Sequence, residues 1–288
     1  MALGALARMD GMATELTPQF RTTELRESSL AEVPERAAED GYAFVRGLLD
    51  PEPVLALRRR VVEVCAGFGW LDGDGVARDD VRLGAYDDKW VTLEGEMATT
   101  PELQAVGTDR AVFDLVERIV GGRVRGGVGS MCRVLSPNAG DLATPPHQDR
   151  HFIEREHAFW TVWVPLGDCP RELGGLAVLP ESHRVGLREH AEGLRAVVPD
   201  DAVWATTDYA CGDVLAVHCL TVHRACPNLT RDRVRISADF RYEPAGRPNL
   251  GAASTFDPKT SPPTTGPLLN NSTGFFGESA FSGQQSAI

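Results

Sequence analysis

The chain has 288 residues and a formal net charge of −12, with 42% hydrophobic and 24% charged residues. This composition is that of a globular protein with enough apolar residues for a substantial core. The negative charge argues against nucleic acid as a partner, because phosphate binding requires clustered lysine and arginine side chains.

Cysteine usage and the N-terminus indicate the compartment. Six cysteines occur without a C-x-x-C pair, and a chain of this size does not depend on disulfides, so we expect free thiols in a reducing environment. Arg8 and Asp10 interrupt the apolar residues near the N-terminus, which argues against a signal peptide. No apolar stretch reaches the length of a transmembrane helix. Together these features predict a cytoplasmic protein with no membrane partner.

The distribution of residue types predicts one domain, residues 21–253, between a flexible leader (1–20) and an extended or disordered tail (254–288). The tail is rich in serine, threonine, glycine, proline and asparagine, and it has little hydrophobic periodicity. Within the domain we expect a helical N-terminal part at 21–122 and a β core at 123–253.

Helix start signals mark the N-terminal part. Asp50-Pro51-Glu52 combines an N-cap aspartate, a proline in the first turn and an acidic residue near the positive end of the helix dipole. Thr100-Pro101-Glu102 repeats this signal and predicts one helix that continues to Gly121-Gly122. Before both helices, a short apolar strand is expected at Tyr42 to Val45, after a break at Gly41.

From residue 123 onward, short β-rich segments replace the helical pattern. They read "RVRGGVGSMCRVLSP", "FWTVWVPLGDC", "GGLAVLPESH", "GDVLAVHCLTVH" and "RVRISADFRYEP", and glycine, proline and aspartate turns separate them. Strand follows strand with no long helical pattern between. The fold predicted is therefore mainly β with flanking helices, with the antiparallel strands arranged as a jelly roll or barrel.

The segment "TPPHQDRHF" contains a candidate metal site. His147 and Asp149 are two residues apart, so in an extended segment their side chains share one face, about 6.6 Å apart, while Gln148 faces the other way. An imidazole and a carboxylate are two of the three ligands in the 2-His-1-carboxylate facial triad of non-haem Fe(II) oxygenases. The tripeptide alone is a weak signal, which an ordinary polar loop also produces.

A third ligand is expected from a later strand, where His218 and His223 compete. If "GDVLAVHCLTVH" forms one continuous strand, the two histidines point to opposite faces because they are five residues apart. His218 lies in the middle of the apolar run, which favours a packing role in the core. His223 closes the run, where a ligand at the mouth of a barrel is expected. We therefore predict that His223 is the ligand.

The segment "RVRISADFRY" provides a candidate anion site. Arg235, Ser237 and Arg241 share one face of a strand. A guanidinium group beside a hydroxyl suits the distal carboxylate of a dicarboxylic acid, which an arginine binds through two parallel hydrogen bonds. Surface arginines on an exposed strand are the alternative interpretation. The position 12 residues after His223 favours the anion site.

Taken together, these motifs resemble the phytanoyl-CoA dioxygenase family, which comprises Fe(II)- and 2-oxoglutarate-dependent oxygenases on a double-stranded β-helix of the cupin-like jelly-roll type. The resemblance rests on H-x-D, "VWVPLGDCPRELGGLAVLPESH", "GDVLAVHCLTVHRACPN" and R-x-S. The upstream "GYAFVRGLLDPEPVLALRRRV" is also similar to that family's first strand and helix. The similarity covers roughly residues 40–242, and the combined pattern is far more specific than any one motif.

The resemblance implies roles for individual residues. His147, Asp149 and His223 would bind iron, and Arg235 with Ser237 would hold the distal carboxylate of 2-oxoglutarate.

Three further positions are less direct matches. Arg233 is the alternative to Arg235, because a small shift in register after Asn228 would exchange the two arginines. Trp163 matches a family tryptophan near the cosubstrate. His183 is expected to be structural, in a turn where the family often has glycine in place of Glu181.

The function implied is a dioxygenase that uses Fe(II), 2-oxoglutarate and O2 to oxidise a C–H bond of a small molecule, most simply by hydroxylation. Related halogenases have a small residue in place of Asp149, so halogenation is not expected. The same chemistry could also lead to desaturation, epoxidation or cyclisation. Two other hypotheses stay open at this point. One is a metalloenzyme on a cupin-like barrel that needs no cosubstrate, and the other is a non-catalytic β-sandwich binding protein.

The substrate itself is not predicted beyond a small organic molecule of specialised metabolism. The segments 82–90, 150–151 and 187–204 are candidates for a substrate lid.

Overall fold

We describe the fold from a computed structural model. The described residues are 19–23, 30–78, 80–85, 88–137, 139–153, 157–191 and 195–246. The predicted tail (254–288) lies outside them, and so does the predicted leader except for Gln19 and Phe20. The Phe20 ring is buried, with its centroid 5.1 Å from that of Tyr42 and 5.3 Å from that of Phe44.

The described part of the chain begins with two short strands and five helices. The helices are α1 (Val33–Asp40), α2 (Pro51–Gly67), α3 (Asp88–Met97), α4 (Pro101–Gly107) and α5 (Arg110–Val120), and the strands are β1 (Thr22–Thr23) and β2 (Tyr42–Val45). Helix α2 begins as predicted, because the Asp50 side chain accepts a hydrogen bond from the Glu52 N–H at 2.9 Å. Strand β2 also has its predicted bounds. No helix among the described residues is long and apolar enough to span a membrane.

Gly41, between α1 and β2, occupies a position that only glycine fits. Its φ of +79° is left-handed, and a Cβ there would lie 2.3 Å from the His183 ring. The close approach brings α1 against the turn that contains His183, whose Nε2 lies 3.0 Å from the Ala38 carbonyl oxygen. His183 is thus a packing residue between two segments, in agreement with its expected structural role.

The helix predicted from Thr100 to Gly121 is in fact two helices, α4 and α5. Thr108 and Asp109 separate them, and the Asp109 side chain caps α5 by accepting a hydrogen bond from the Ala111 N–H at 2.8 Å. A short polar side chain that satisfies a free N–H favours a new helix start over continuation of the first helix. The prediction of one helix was wrong at this point.

The β core follows the helices. Its strands are β3 (Val124–Leu135), β4 (Trp160–Pro165), β5 (Leu176–Val178), β6 (His190–Ala191), β7 (Arg195–Ala196), β8 (Val214–His218), β9 (His223–Ala225) and β10 (Arg235–Pro244), with a one-turn helix α6 (Asp149–Phe152) between β3 and β4. The larger sheet has the order β1-β2-β8-β4-β10-β3 and is antiparallel apart from the β1–β2 pair.

Residues of the larger sheet alternate between its two faces. In β10, Ile236, Ala238 and Phe240 belong to the apolar cluster that also contains residues of α1 to α5. The intervening side chains of Arg235 and Asp239 line a cavity on the other face. One face of the sheet therefore packs against the helices, and the other faces the interior of the β core.

A smaller sheet covers that interior face. Strands β5 and β9 pair antiparallel, and isolated bridges add Ala205 beside Val178 and His147 beside His223. An apolar cluster with side chains from both sheets, including Phe44 and Leu176, packs between the two layers. Two antiparallel sheets facing each other form the predicted jelly roll, so the predicted fold class is confirmed.

The segment "GDVLAVHCLTVH" does not form the single strand that was considered. Strand β8 ends at His218, a turn follows in which the Thr221 N–H donates to the His218 carbonyl oxygen at 2.8 Å, and β9 begins at His223. Strand β8 belongs to the larger sheet and β9 to the smaller one. His218 and His223 therefore lie in different sheets, at the two ends of the turn that connects them.

Candidate metal and cosubstrate site

The structure brings His147, Asp149 and His223 together in the interior of the jelly roll. Asp149 Oδ1 lies 3.5 Å from His147 Nε2 and 3.7 Å from His223 Nε2. One potential ligand atom from each residue lies within 4.8 Å of the others, and all three residues are buried. This is the separation at which three side chains can share one metal ion.

Backbone pairing positions the two histidines. His147 and His223 exchange two hydrogen bonds, N–H to carbonyl, of 2.9 and 3.0 Å. Asp149 departs from the expected extended conformation, because it is the first residue of α6. The chain is still extended at Gln148, with φ −120° and ψ 129°, so the Asp149 carboxylate points to the same side as the His147 ring.

Hydrogen bonds at the far side of each ring determine which nitrogen faces the site. His147 Nδ1 lies 2.8 Å from the Pro145 carbonyl oxygen, and His223 Nδ1 lies 3.0 Å from the Thr221 carbonyl oxygen. A carbonyl oxygen only accepts, so Nδ1 carries the proton in both rings. Nε2 of each histidine then presents its lone pair to the site, as a metal ligand must.

The charges of the three groups suit a cation. Burial alone would raise the pKa of Asp149, but its neighbours His147, Arg241 and His223 stabilise the ionised carboxylate and bring the pKa well below its usual value. Burial lowers the pKa of His223 to about 4. At neutral pH the site therefore contains an ionised carboxylate and a neutral His223 imidazole, the protonation states required of metal ligands.

Arg235 and Arg233 occupy very different places. Arg235 is only 3% exposed, lines the same cavity as the three residues above and donates from Nη1 to Ser237 Oγ at 2.7 Å. Burial lowers its pKa. Arg233 precedes β10 and is exposed, and its guanidinium group forms an ion pair with Glu172. Of the two candidate arginines, only Arg235 lies in the cavity, a difference that the alternation of side chains along the strand could not predict.

The cavity contains two buried donors that are not used by the described residues. Trp163 Nε1 and Arg235 Nε have no hydrogen-bond partner among these residues. Both side chains line the cavity. Buried donors are costly to leave without acceptors, so these two N–H groups are available to an acceptor that enters the cavity.

His218 lies outside the group. Its Nδ1 accepts a hydrogen bond from the Leu220 N–H at 3.2 Å, and its ring centroid lies 5.3 Å from that of Trp160 and 5.6 Å from that of His183. Burial lowers its pKa to about 4. These contacts agree with the expected packing role.

Gln148 connects the candidate site to two neighbouring segments. As expected, its side chain faces away from those of His147 and Asp149, and it is fully buried. Its Nε2 donates to the carbonyl oxygens of Gly186 at 2.9 Å and Leu220 at 2.6 Å, and its Oε1 accepts from the Arg188 N–H at 2.8 Å. The segment that carries two of the site residues is thus joined to the turn before His223 and to residues 186–188.

Five further polar side chains that line the cavity were not assigned a role from the sequence, namely Thr144, Thr161, Arg133, Asp239 and Arg241. For Arg241 and Asp239, the alternation of β10 places both on the face of Arg235, and this signal was available in the sequence. Thr161 and Arg133 gave no such signal, because each lies in a different strand whose inward face is not apparent without the fold.

Comparisons with known proteins agree with this geometry. The family model of phytanoyl-CoA dioxygenase (PhyH) matches residues 37–237. A 1-deoxypentalenic acid 11-beta-hydroxylase from Streptomyces arenae is 27% identical in an alignment of 227 residues that covers 72% of this chain and 78% of the relative. The corresponding hydroxylase from Streptomyces exfoliatus is 25% identical over 255 residues, 82% of this chain and 89% of the relative.

Solved structures share the fold. The non-haem monooxygenase ThoJ has a TM-score of 0.60 at 18% identity, covering 83% of this chain and 86% of ThoJ. The non-haem alpha-ketoglutarate-dependent carbocyclase SnoK from nogalamycin biosynthesis has a TM-score of 0.55 at 25% identity, covering 74% of this chain and 83% of SnoK. The family model matches well over half of the residues of this chain. The chain therefore belongs to the phytanoyl-CoA dioxygenase family.

Proposed function

We propose that the protein is an Fe(II)- and 2-oxoglutarate-dependent oxygenase that hydroxylates a small organic molecule of specialised metabolism. The observation that carries the proposal is the convergence of His147, Asp149 and His223 within 4.8 Å, beside a buried arginine in the same cavity. Two imidazoles and one carboxylate form the donor set that ferrous oxygenases use, with coordination positions left open for other ligands.

The residues present fit this metal. Both Nε2 atoms face the carboxylate, and their tautomers are fixed by the carbonyl oxygens of Pro145 and Thr221. Ferrous iron bound there would use O2 as the oxidant, coupling the oxidative decarboxylation of 2-oxoglutarate to succinate and CO2 with the oxidation of a substrate C–H bond. His147, Asp149 and His223 would hold the ion inside the cavity that they line together with Arg235.

The second part of the site fits 2-oxoglutarate. Arg235 would bind the distal carboxylate through its planar guanidinium group, and Ser237 orients that group by accepting a hydrogen bond from Nη1 at 2.7 Å. Trp163 contributes the indole N–H that has no acceptor among the described residues. A metalloenzyme that needs no cosubstrate would leave these buried donors unexplained, so they favour the oxygenase.

The proposals for the reaction type and the substrate class rest on Asp149 and on the named relatives. An aspartate at position 149 provides a third protein ligand, which favours hydroxylation over halogenation. The Streptomyces relatives are named as hydroxylases of 1-deoxypentalenic acid, a small organic acid. The six free cysteines support a cytoplasmic location, because reducing compartments maintain thiols.

Anaerobic titration with Fe(II) and 2-oxoglutarate tests the proposal without knowledge of the substrate. A visible charge-transfer band should appear on addition of 2-oxoglutarate to the Fe(II)-loaded protein. His223→Ala should abolish the band, and His218→Ala, a matched histidine five residues earlier, should retain it. Candidate metabolites can then be screened by the succinate that they release. Absence of the band in the wild-type protein would exclude this function.

A further inference from the structure

The two oxygen atoms of the Asp149 carboxylate have different surroundings. Oδ1 faces the histidines, at 3.5 Å from His147 Nε2 and 3.7 Å from His223 Nε2. Oδ2 accepts a hydrogen bond from the Thr161 hydroxyl and lies 4.0 Å from Arg241 Nη2. One oxygen is therefore directed towards the site and the other towards the larger sheet.

Thr161 and Arg241 are paired across neighbouring strands. Thr161 in β4 lies directly opposite Arg241 in β10, in the middle of the larger sheet, and both are buried. Asp239 forms an ion pair with Arg241, with its Oδ2 at 3.9 Å from Arg241 Nη2, and the same oxygen accepts a hydrogen bond from Arg133 Nε at 2.6 Å. The partners of Asp149 Oδ2 thus belong to two strands paired within the larger sheet, whereas Asp149 itself begins a helix of only four residues.

We propose that Thr161 and Arg241 are positioning residues that hold Asp149 Oδ2 against the larger sheet, so that Asp149 offers only Oδ1 to the metal. This inference rests on the proposed function. A facial triad leaves three positions on a six-coordinate ion, and the keto-acid group of 2-oxoglutarate requires two of them. A carboxylate that bound through both oxygens would occupy one of these positions. Holding Oδ2 at a distance therefore keeps the metal accessible to the cosubstrate.

A purely structural role would give different results. If the Thr161 hydroxyl only satisfied a buried acceptor, its removal would lower stability and leave ligand affinities unchanged. If it positions Asp149, its removal changes the affinity for the metal and for 2-oxoglutarate. Metal affinity measured without 2-oxoglutarate separates the positioning of Asp149 from any direct contact between Thr161 and the cosubstrate.

The test uses three variants of the full chain. Thr161→Val removes the hydroxyl but keeps the side-chain shape, and Thr161→Ser keeps the hydroxyl. Thr100→Val is the matched control, because Thr100 is also buried and its hydroxyl donates to a backbone carbonyl oxygen, that of Met97, at 2.9 Å. The dissociation constant for Co(II) is measured calorimetrically, and that for 2-oxoglutarate by anaerobic titration of the Fe(II)-loaded protein.

We expect Thr161→Val to weaken Co(II) binding about 10-fold to 100-fold, as changes to the outer partners of metal ligands typically do. The 2-oxoglutarate affinity should fall by about tenfold or more, with Thr161→Ser close to the wild type and Thr100→Val unchanged. Equal dissociation constants in Thr161→Val and Thr100→Val would overturn the inference. A wild-type protein that binds neither Fe(II) nor 2-oxoglutarate would instead contradict the proposed function itself.

Discussion

Replacement of Arg235 by glutamine should severely weaken 2-oxoglutarate binding. Arg235 is 3% exposed, lines the cavity and donates to Ser237. In Arg235→Gln the distal carboxylate of the cosubstrate would enter the same buried position without the guanidinium group that pairs with it. The amide can still donate a hydrogen bond, so the variant removes mainly the charge and the two-pronged geometry.

The size of the expected loss of 2-oxoglutarate affinity follows from the burial of the ion pair between Arg235 and the distal carboxylate. Breaking a buried ion pair by removal of one partner costs about 3–5 kcal/mol, because the other charge remains buried and uncompensated. At about 1.4 kcal/mol per factor of ten, this predicts a dissociation constant for 2-oxoglutarate that is roughly 150-fold to 5000-fold higher. The Fe(II) affinity should be unchanged, because Arg235 is not one of the three residues that converge on the candidate metal position.

Arg233→Gln provides the matched control. Arg233 is exposed and paired with Glu172 at the surface, where an ion pair contributes at most about 1 kcal/mol. The dissociation constant in this variant should stay within about fivefold of the wild type. The dissociation constants of both variants for 2-oxoglutarate are measured from the charge-transfer band of the Fe(II)-loaded protein under anaerobic conditions. If Arg233→Gln weakens binding more than Arg235→Gln, the assignment of the carboxylate to Arg235 is wrong.

Three further predictions concern stability. The folded metal-free protein keeps His218 neutral at a pKa of about 4, whereas the unfolded chain takes up this proton below about pH 6.5. The free energy of unfolding should therefore fall by about 2 kcal/mol between pH 7.5 and 5 because of His218. In urea unfolding, His218→Asn should lose about that much less stability than the wild type over the same pH range. Glu181 has a φ of +62°, so Glu181→Gly should raise the free energy of unfolding by about 0.5–1 kcal/mol, and a lower melting temperature would contradict this. Phe20→Ala should lower the free energy of unfolding by about 3–5 kcal/mol in chemical denaturation, since the Phe20 ring is buried against three aromatic rings, and an unchanged midpoint would refute its contribution to the core.

Much of the fold follows from local sequence signals. The strand–turn alternation after residue 123 predicted the antiparallel β core, and the capping residues Asp50 and Gly121 predicted a helix start and a helix end. The period-2 alternation of β10 predicted that Arg235 and Ser237 share a face. These signals act over a few residues, so they can be identified without knowledge of the tertiary structure.

Other features depend on contacts between distant segments. Thr161 in β4 meets Asp149 in α6 because both line the cavity inside the jelly roll, and no local pattern encodes that contact. The acceptors that orient His147 and His223 are backbone carbonyl oxygens, which any residue type provides. The alternation of side chains along a strand could not separate Arg233 from Arg235, because they are two residues apart and would share a face. What separates them is that β10 begins at Arg235, so Arg233 lies before the strand.

Gln148 has a consequence for attempts to redesign the enzyme. Residues 187–204 are an obvious target for a change of substrate preference, and the Arg188 N–H and the Gly186 carbonyl oxygen both bind the Gln148 side chain. Gln148 lies in the chain between His147 and Asp149, two of the residues that would hold iron, so a backbone shift at 186–188 that moves Gln148 would also displace them. Libraries that vary this segment should therefore be screened for retained iron as well as for turnover. Insertions distant from Arg188 should be tolerated better than those beside it.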